Sequence, residues 1–208
     1  IVLHVIESAI ENKVIEKPSF IFNMSCGYNL EGIKQEKMQT FIDSMIDSGK
    51  KPLFDEYINE AKAMISDGIF DGSDWEGREE KVLKTLDNIS KNICRSVTVS
   101  TMHGCPPKEI EAICSYLLTE KKLDTFVKLN PTLLGYDTVR KVLDDLGYGY
   151  VVLKRESFEH DLQLADAKAM LHRLVDLAKK EGRKFGVKLT NTLGNVNPQD
   201  VLPGDERY

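Results

Sequence analysis

The 208-residue chain has little of what several function classes require. Its four cysteines, Cys26, Cys94, Cys105 and Cys114, form no CxxC pair and no zinc-ribbon spacing, which argues against a structural zinc site and against an iron–sulfur module within these residues. His103 and Cys105 could supply two metal ligands, but no second pair accompanies them, so no metal is expected. No apolar run approaches the ~18 residues of a membrane span, and no secretory pattern opens the sequence. A formal net charge of −5 without a basic stripe argues against a nucleic-acid surface. Unpaired cysteines fit a reduced, cytoplasmic setting.

What is present suits one globular domain or part of a larger one: 41% of residues are hydrophobic, an ordinary fraction for a packed core. The sequence opens without methionine inside an apolar helical pattern (Val2, Val5, Ile6, Ala9, Ile10) and closes on residues 203–208 with no evident element. The expectation is a segment, residues 1–208, excised from a longer multidomain polypeptide.

Apolar, β-branched runs bounded by turn residues predict five strands, at residues 19–25, 97–101, 125–129, 150–154 and 185–190. Helical periodicity predicts helices near 1–12, 35–48, 53–65, 79–93, 107–120, 138–146 and 162–180. The last of these carries a stripe of Leu164, Ala167, Leu171, Leu174, Val175 and Ala178. The stretch 34–95 is too long for a minimal crossover and reads as a helical insertion after the first strand. Strands alternating with helices give right-handed βαβ units and a parallel sheet. The fold class is therefore α/β, a partial (β/α)8 barrel of about five strands, since a complete barrel needs ~250 residues.

Two segments read almost alike: FVKLNPTLLG (126–135) and GVKLTNTLG (186–194). Each places a lysine inside an apolar strand that runs straight into Asn, Thr and Gly. An unpaired ammonium is costly in a low-dielectric interior, so Lys128 and Lys188 are expected to face something anionic or polar. In parallel α/β folds the C-terminal strand ends carry the chemistry. Those ends hold Cys26 and Asn29, His103 and Cys105, Asn130 and Thr132, Lys154, and Asn191 and Thr192. Amides and hydroxyls suit a heteroaromatic ligand with alternating donors and acceptors. A lysine can stabilise negative charge developing on such a ring, and cysteine can donate a proton or attack. Each residue also has a plain structural reading. The lysines can snorkel into water, the cysteines can fill space, and the Asn–Thr pairs can cap the next helix.

The segments SCGYN (25–29), GCP (104–106), VKLNP (127–131), VKLTN (187–191) and TNT (190–192) resemble the flavin-dependent barrels of dihydroorotate and dihydropyrimidine dehydrogenases. That resemblance implies Cys105 as catalytic proton donor with Cys26 second, and Lys128 or Lys188 as the lysine that approaches the flavin. It also implies Asn29, Asn130, Thr132, Asn191 and Thr192 as ligand-binding residues. Met102 stands where those dehydrogenases carry asparagine, and His103 is foreign to their pattern. Over nearly the whole chain, FIFNMS, GYNLEGIKQ, STMHGCPP, EIEAIC, FVKLNPTLLGY and FGVKLTNTLG resemble the large iron–sulfur subunits of selenate-reductase type. This implies a flavin-type barrel joined in one polypeptide to ferredoxin-like and FAD/NAD(P)H-binding modules. FMN, FAD and [4Fe-4S] clusters are expected in the full-length protein, with its other domains and redox subunits as partners.

No glycine-rich phosphate loop follows residues 185–190, so the fragment alone is expected to bind no cofactor and, having open sheet edges, to dimerise. Two alternatives stand beside the oxidoreductase reading. One is a degenerate barrel that docks redox modules. The other is a Schiff-base lyase, suggested by lysines at or near three strand ends, Lys128, Lys154 and Lys188.

Overall fold

The computed structural model describes residues 22–101, 104–196 and 198. The expected helix near 1–12, the start of the first strand, Met102, His103 and the last eight residues lie outside that set. The described residues fall into two compact units, residue 22 with 39–95, and residues 23–38 with those from 96 onward.

In the second unit four strands, β1 (Asn23–Cys26), β2 (Ser96–Ser100), β3 (Asp124–Leu129) and β4 (Phe185–Leu189), form one sheet in the order β1-β2-β3-β4. Every neighbouring pair is parallel. Sequential parallel order is what right-handed crossovers produce as a barrel wall grows strand by strand. A short helix α1 (Leu30–Lys34) follows β1 and opens on Asn29, whose Oδ1 accepts from the Gly32 amide at 2.8 Å.

One face of the sheet is apolar and covered. Met24, Cys26, Val97, Val99, Val127 and Leu129 alternate onto it and are all buried. The helix covering β2 and β3 runs from Pro107 to Thr119. Proline at its first turn costs no hydrogen bond, because that N–H would be unpaired anyway. Its Ile110, Ile113, Cys114, Leu117 and Leu118 recur at 3- and 4-residue spacing and are buried as one stripe.

A second long helix, Leu164–Lys180, packs on the first through Ala167, Met170, Leu174 and Ala178. Arg173 grips Glu111 across that contact with two bonds of 2.7 Å, Nε to Oε1 and Nη2 to Oε2. The Arg173 hydrogen bond holds the Glu111 carboxyl below its ordinary range. The stability the pair contributes is thus complete above the unfolded carboxylate pKa and lost as pH falls through the lower folded value. Arg173→Gln is expected to lower the melting temperature at neutral pH and to leave it unchanged at a pH below that folded value. An equal loss at both would show that packing, not charge, was removed.

The segment 150–154 does not join the sheet as a fifth strand. Leu153 makes an isolated antiparallel bridge to Asn195, and that is its only ladder contact among the described residues. The cause is local. Within the segment, the Val151 carbonyl accepts from the Arg140 guanidinium and the Val152 carbonyl from Val196 N at 2.9 Å, so two acceptors a parallel ladder would use are taken. Leu153 instead packs with Val139 and Phe158 in a small separate cluster. Lys154 becomes the residue before the helix Arg155–His160 rather than a strand end, which removes one of the three lysines behind the lyase reading.

Phe126 and Gly186 are register partners on neighbouring strands. A Cβ at 186 would lie 2.7 Å from Phe126 Cδ1, so the ring occupies the space a side chain would need. Gly186→Val is expected to cost about 1–3 kcal/mol, the usual penalty of overpacking. Most of it should be recovered in a Phe126→Ala background. An unchanged urea midpoint in the single variant would show that the ring moves aside freely.

In the first unit, described over residues 39–95, most of a helix spanning Glu36–Ile46 is followed by helices Pro52–Ser66 and Glu79–Asp87. The latter two close on Ile58, Ile65, Val82, Leu86 and Ile89, with Trp75 stacked on Phe70 at 5.6 Å. This is the anticipated helical insertion. Its last helix stops at Asp87, six residues earlier than the periodicity suggests, and Asn88 donates a side-chain bond back to the Lys84 carbonyl.

Candidate active site

Because all four strands run the same way, the segments that follow them emerge at one edge of the sheet. Alternation fixes which face each residue takes. On the face opposite the helix Pro107–Thr119, register aligns Ser100 of β2 with Lys128 of β3 and Lys128 with Lys188 of β4. Gly27 completes this row beyond β1; a Cβ there would meet Ser100 at 3.6–3.9 Å.

The two lysines leave backbones only ~4.8 Å apart, the spacing of adjacent strands, and like charges placed opposite one another are destabilising. Neither ammonium has an ion pair or hydrogen bond among the described residues. Lys128 is half-buried on a central strand and Lys188 is exposed on the last strand, where Leu189 is also exposed. This edge therefore carries two positive charges that nothing in the described protein neutralises.

Cys105 lies in the loop between β2 and the helix Pro107–Thr119, and it lines an open cleft of about 770 Å³ with Asn29, Lys34 and Glu109. Glu109 also reaches back to accept from the Leu30 amide at 2.8 Å, which ties the loop after β1 to the first turn of that helix. Burial, and then the nearby Glu109 carboxylate, push the Cys105 thiol above its ordinary pKa. A thiol held neutral can donate a proton, whereas a nucleophilic cysteine needs its thiolate.

Cys26 is elsewhere. It is buried on the helix-covered face, and burial pushes its thiol up to about 11. Cys114 is buried with it, and its thiol is raised by burial and then by the neighbouring Cys26 and Cys105. Cys94 is buried in the first unit. Cys26 therefore belongs to the packed layer and does not back up Cys105 at the strand-end edge.

Of the residues expected to contact a ligand, Asn29, Asn130, Thr132 and Asn191 have side-chain partners within the protein. Asn29 caps α1. Asn191 N donates to the Leu129 carbonyl at 3.0 Å, and its Oδ1 accepts from Thr192 N at 2.9 Å. Asn130 Nδ2 and Thr132 Oγ1 both donate to Asp161 Oδ2, at 3.2 and 2.7 Å. Asp161 Oδ1 accepts from the Gly104 amide at 2.7 Å. Thr192 is exposed and lines a second cleft, of about 1000 Å³, with Tyr136, Lys154, His160 and Asp161. Asp161 was invisible to pattern reading: it sits in a polar stretch, EHDLQ, with no motif around it. Among the described residues no group of three or more His, Cys, Asp or Glu is placed to hold a metal, and no helix is long and apolar enough to cross a membrane.

With this geometry in hand, the family described as "Oxidoreductase YgfK, N-terminal TIM-barrel domain" matches residues 1–208. The chain belongs to that family. The sequence is 52% identical over 207 residues to "Putative oxidoreductase YgfK" of Escherichia coli strain K12, and equally so to the protein of that name from E. coli O157:H7. In each case the match covers 99% of this chain and 20% of the relative, so the chain spans about one fifth of their length. No solved structure matches it. The parallel four-stranded sheet agrees with the barrel fold of the family.

Proposed function

We propose that this chain is the barrel segment of a multidomain iron–sulfur flavoprotein oxidoreductase that reduces or oxidises a small heterocyclic or oxyanion substrate. The observation that carries the proposal is the Lys128–Lys188 pair, two unneutralised cations side by side at the edge where the strands end. That arrangement fits a group that becomes electron-rich, and the small residues Gly27 and Ser100 in the same row leave room for a flat ring. FMN, when bound, would supply the electron-carrying ring. Lys128 would face its electron-rich edge from the central strand, Lys188 would add charge from the exposed one, and the neutral Cys105 thiol would hold the proton to be delivered to substrate. FAD and [4Fe-4S] clusters in other domains of the same polypeptide would exchange electrons with it. The relatives' name, an oxidoreductase five times the length of this chain, supports a redox role within a larger protein.

A second reading, a barrel that docks redox modules without chemistry of its own, draws support from one observation. Asn130, Thr132 and Asn191 make internal hydrogen bonds that would serve loop structure equally well. Extraction of the intact polypeptide separates the two. The redox reading expects FMN in addition to FAD, near one per chain, whereas FAD alone would support the docking platform.

A further inference from the structure

We infer that Asp161 is a positioning residue that fixes the Cys105 loop; the catalytic meaning of that loop rests on the proton-donor reading above, but the structural claim does not. Asp161 is 5% exposed, and its carboxylate joins segments that are far apart in sequence. Oδ1 accepts from the amide of Gly104, the residue immediately before Cys105, across 57 positions. Oδ2 accepts from Thr132, itself buried, and from Asn130, both in the turn after β3. Gln163 Nε2 donates to the Asp161 carbonyl at 2.7 Å and to that of Phe158 at 2.9 Å, fixing the carboxylate's own backbone. One buried acceptor group therefore orders the turns after β2 and β3 together.

The geometry gives Asp161 a direct grip on Cys105. Gly104 has φ +75°, a left-handed conformation that glycine adopts without strain and leaves as readily, so its backbone alone does not select one loop conformation. The Gly104–Asp161 bond supplies the constraint: it points the chain so that Cys105 leaves the turn between the cleft it lines with Asn29 and a small internal cavity lined by Thr101, Leu129 and Asp161. Asp161 is not among the influences that raise the Cys105 thiol, which are burial and Glu109. Asp161 therefore acts on Cys105 through placement, and so through the burial that raises its thiol.

The test is iodoacetamide labelling of the full-length protein, followed on the Cys105 peptide by mass spectrometry, with the buried Cys26 and Cys114 as internal reporters of global opening. In Asp161→Ala the Cys105 rate should rise about tenfold, as expected for loss of one hydrogen bond to a charged group, while Cys26 and Cys114 stay protected. Because burial is the first cause of the raised Cys105 thiol, its release should move the pH midpoint of Cys105 labelling downward. Thr132→Val removes a donor to the same carboxylate but leaves the Gly104 bond, so it should lower the melting temperature without accelerating Cys105. Asp161→Asn keeps the volume and one acceptor and covers the case in which the alanine variant does not fold; its Cys105 rate should fall between wild type and the alanine prediction. A Cys105 rate unchanged in both Asp161 variants would overturn the inference. So would acceleration of all three cysteines in parallel, or acceleration in Thr132→Val equal to that in the Asp161 variants. None of these results bears on whether Cys105 transfers a proton, which the activity of a Cys105 variant decides separately.

Discussion

Replacing Cys105 by alanine in the full-length protein is expected to lower turnover by about 10²–10⁴-fold, the range a positioned general acid contributes, without loss of flavin. The argument rests on place and protonation together. Cys105 follows β2 at the strand-end edge, lines an open cleft, and is kept as a neutral thiol by burial and by Glu109. A neutral donor acts only in the transition state, as its S–H bond breaks and the proton bonds to substrate, so the loss should fall on kcat with little change in KM. Serine should restore little, because its hydroxyl is a far weaker acid than the thiol. The assay uses whichever pyrimidine or oxyanion probe the wild-type protein turns over. Wild-type kcat in Cys105→Ala would remove Cys105 from the chemistry and leave it as loop structure.

The second large effect is an asymmetry between the paired lysines. Lys128→Met should reduce flavin retention or turnover by about 10–100-fold, equivalent to one hydrogen bond to a charged group at ~1.5–3 kcal/mol. Lys188→Met should do much less. Lys128 is half-buried on a strand paired on both sides, so its ammonium acts in a medium that strengthens its field, while Lys188 lies exposed to screening water. Both substitutions remove one of two like charges facing each other, so both should raise the melting temperature slightly, within the ~0.2–1 kcal/mol of a cross-strand pair. A variant that gains stability while losing function separates a binding role from a structural one. Equal retention of flavin and activity in both variants would take the lysines out of the mechanism.

The parallel sheet was legible because apolar β-branched runs and helical stripes differ in period. All four strands fall within a few residues of where that pattern puts them. The segment 150–154 carries the same signal and is not a sheet strand. Strand character there depends on what donates to its carbonyls, and Arg140, from a helix about ten residues away, has no signature in the local pattern. In the helix Leu164–Lys180 the expected stripe holds at Ala167, Leu174 and Ala178, all buried, and differs at its edges. Met170, outside that stripe, is fully buried and Leu164 is 46% exposed, a distinction set by the neighbouring helix and not by hydrophobicity. At the site, the repeated lysine segments pointed to a pair that the register places side by side. Which face a cysteine takes was not legible, because small strand-end residues read alike. Cys26 alternates onto the packed face, and Cys105 stands in a loop beyond its strand. Asp161 could not be found from sequence, since Gly104, Asn130 and Thr132, which donate to it, stand in turns 29–57 residues away.

The most direct test of the central claim is a cryo-electron-microscopy map of the intact polypeptide, purified without added cofactor, read at the strand-end edge of β3 and β4. The account predicts a planar, non-protein density on the face opposite the helix Pro107–Thr119, within hydrogen-bonding reach of Lys128 Nζ and with the Cys105 loop held against Asp161. A map in which protein side chains fill that face and carboxylates from another domain neutralise Lys128 and Lys188 would contradict it.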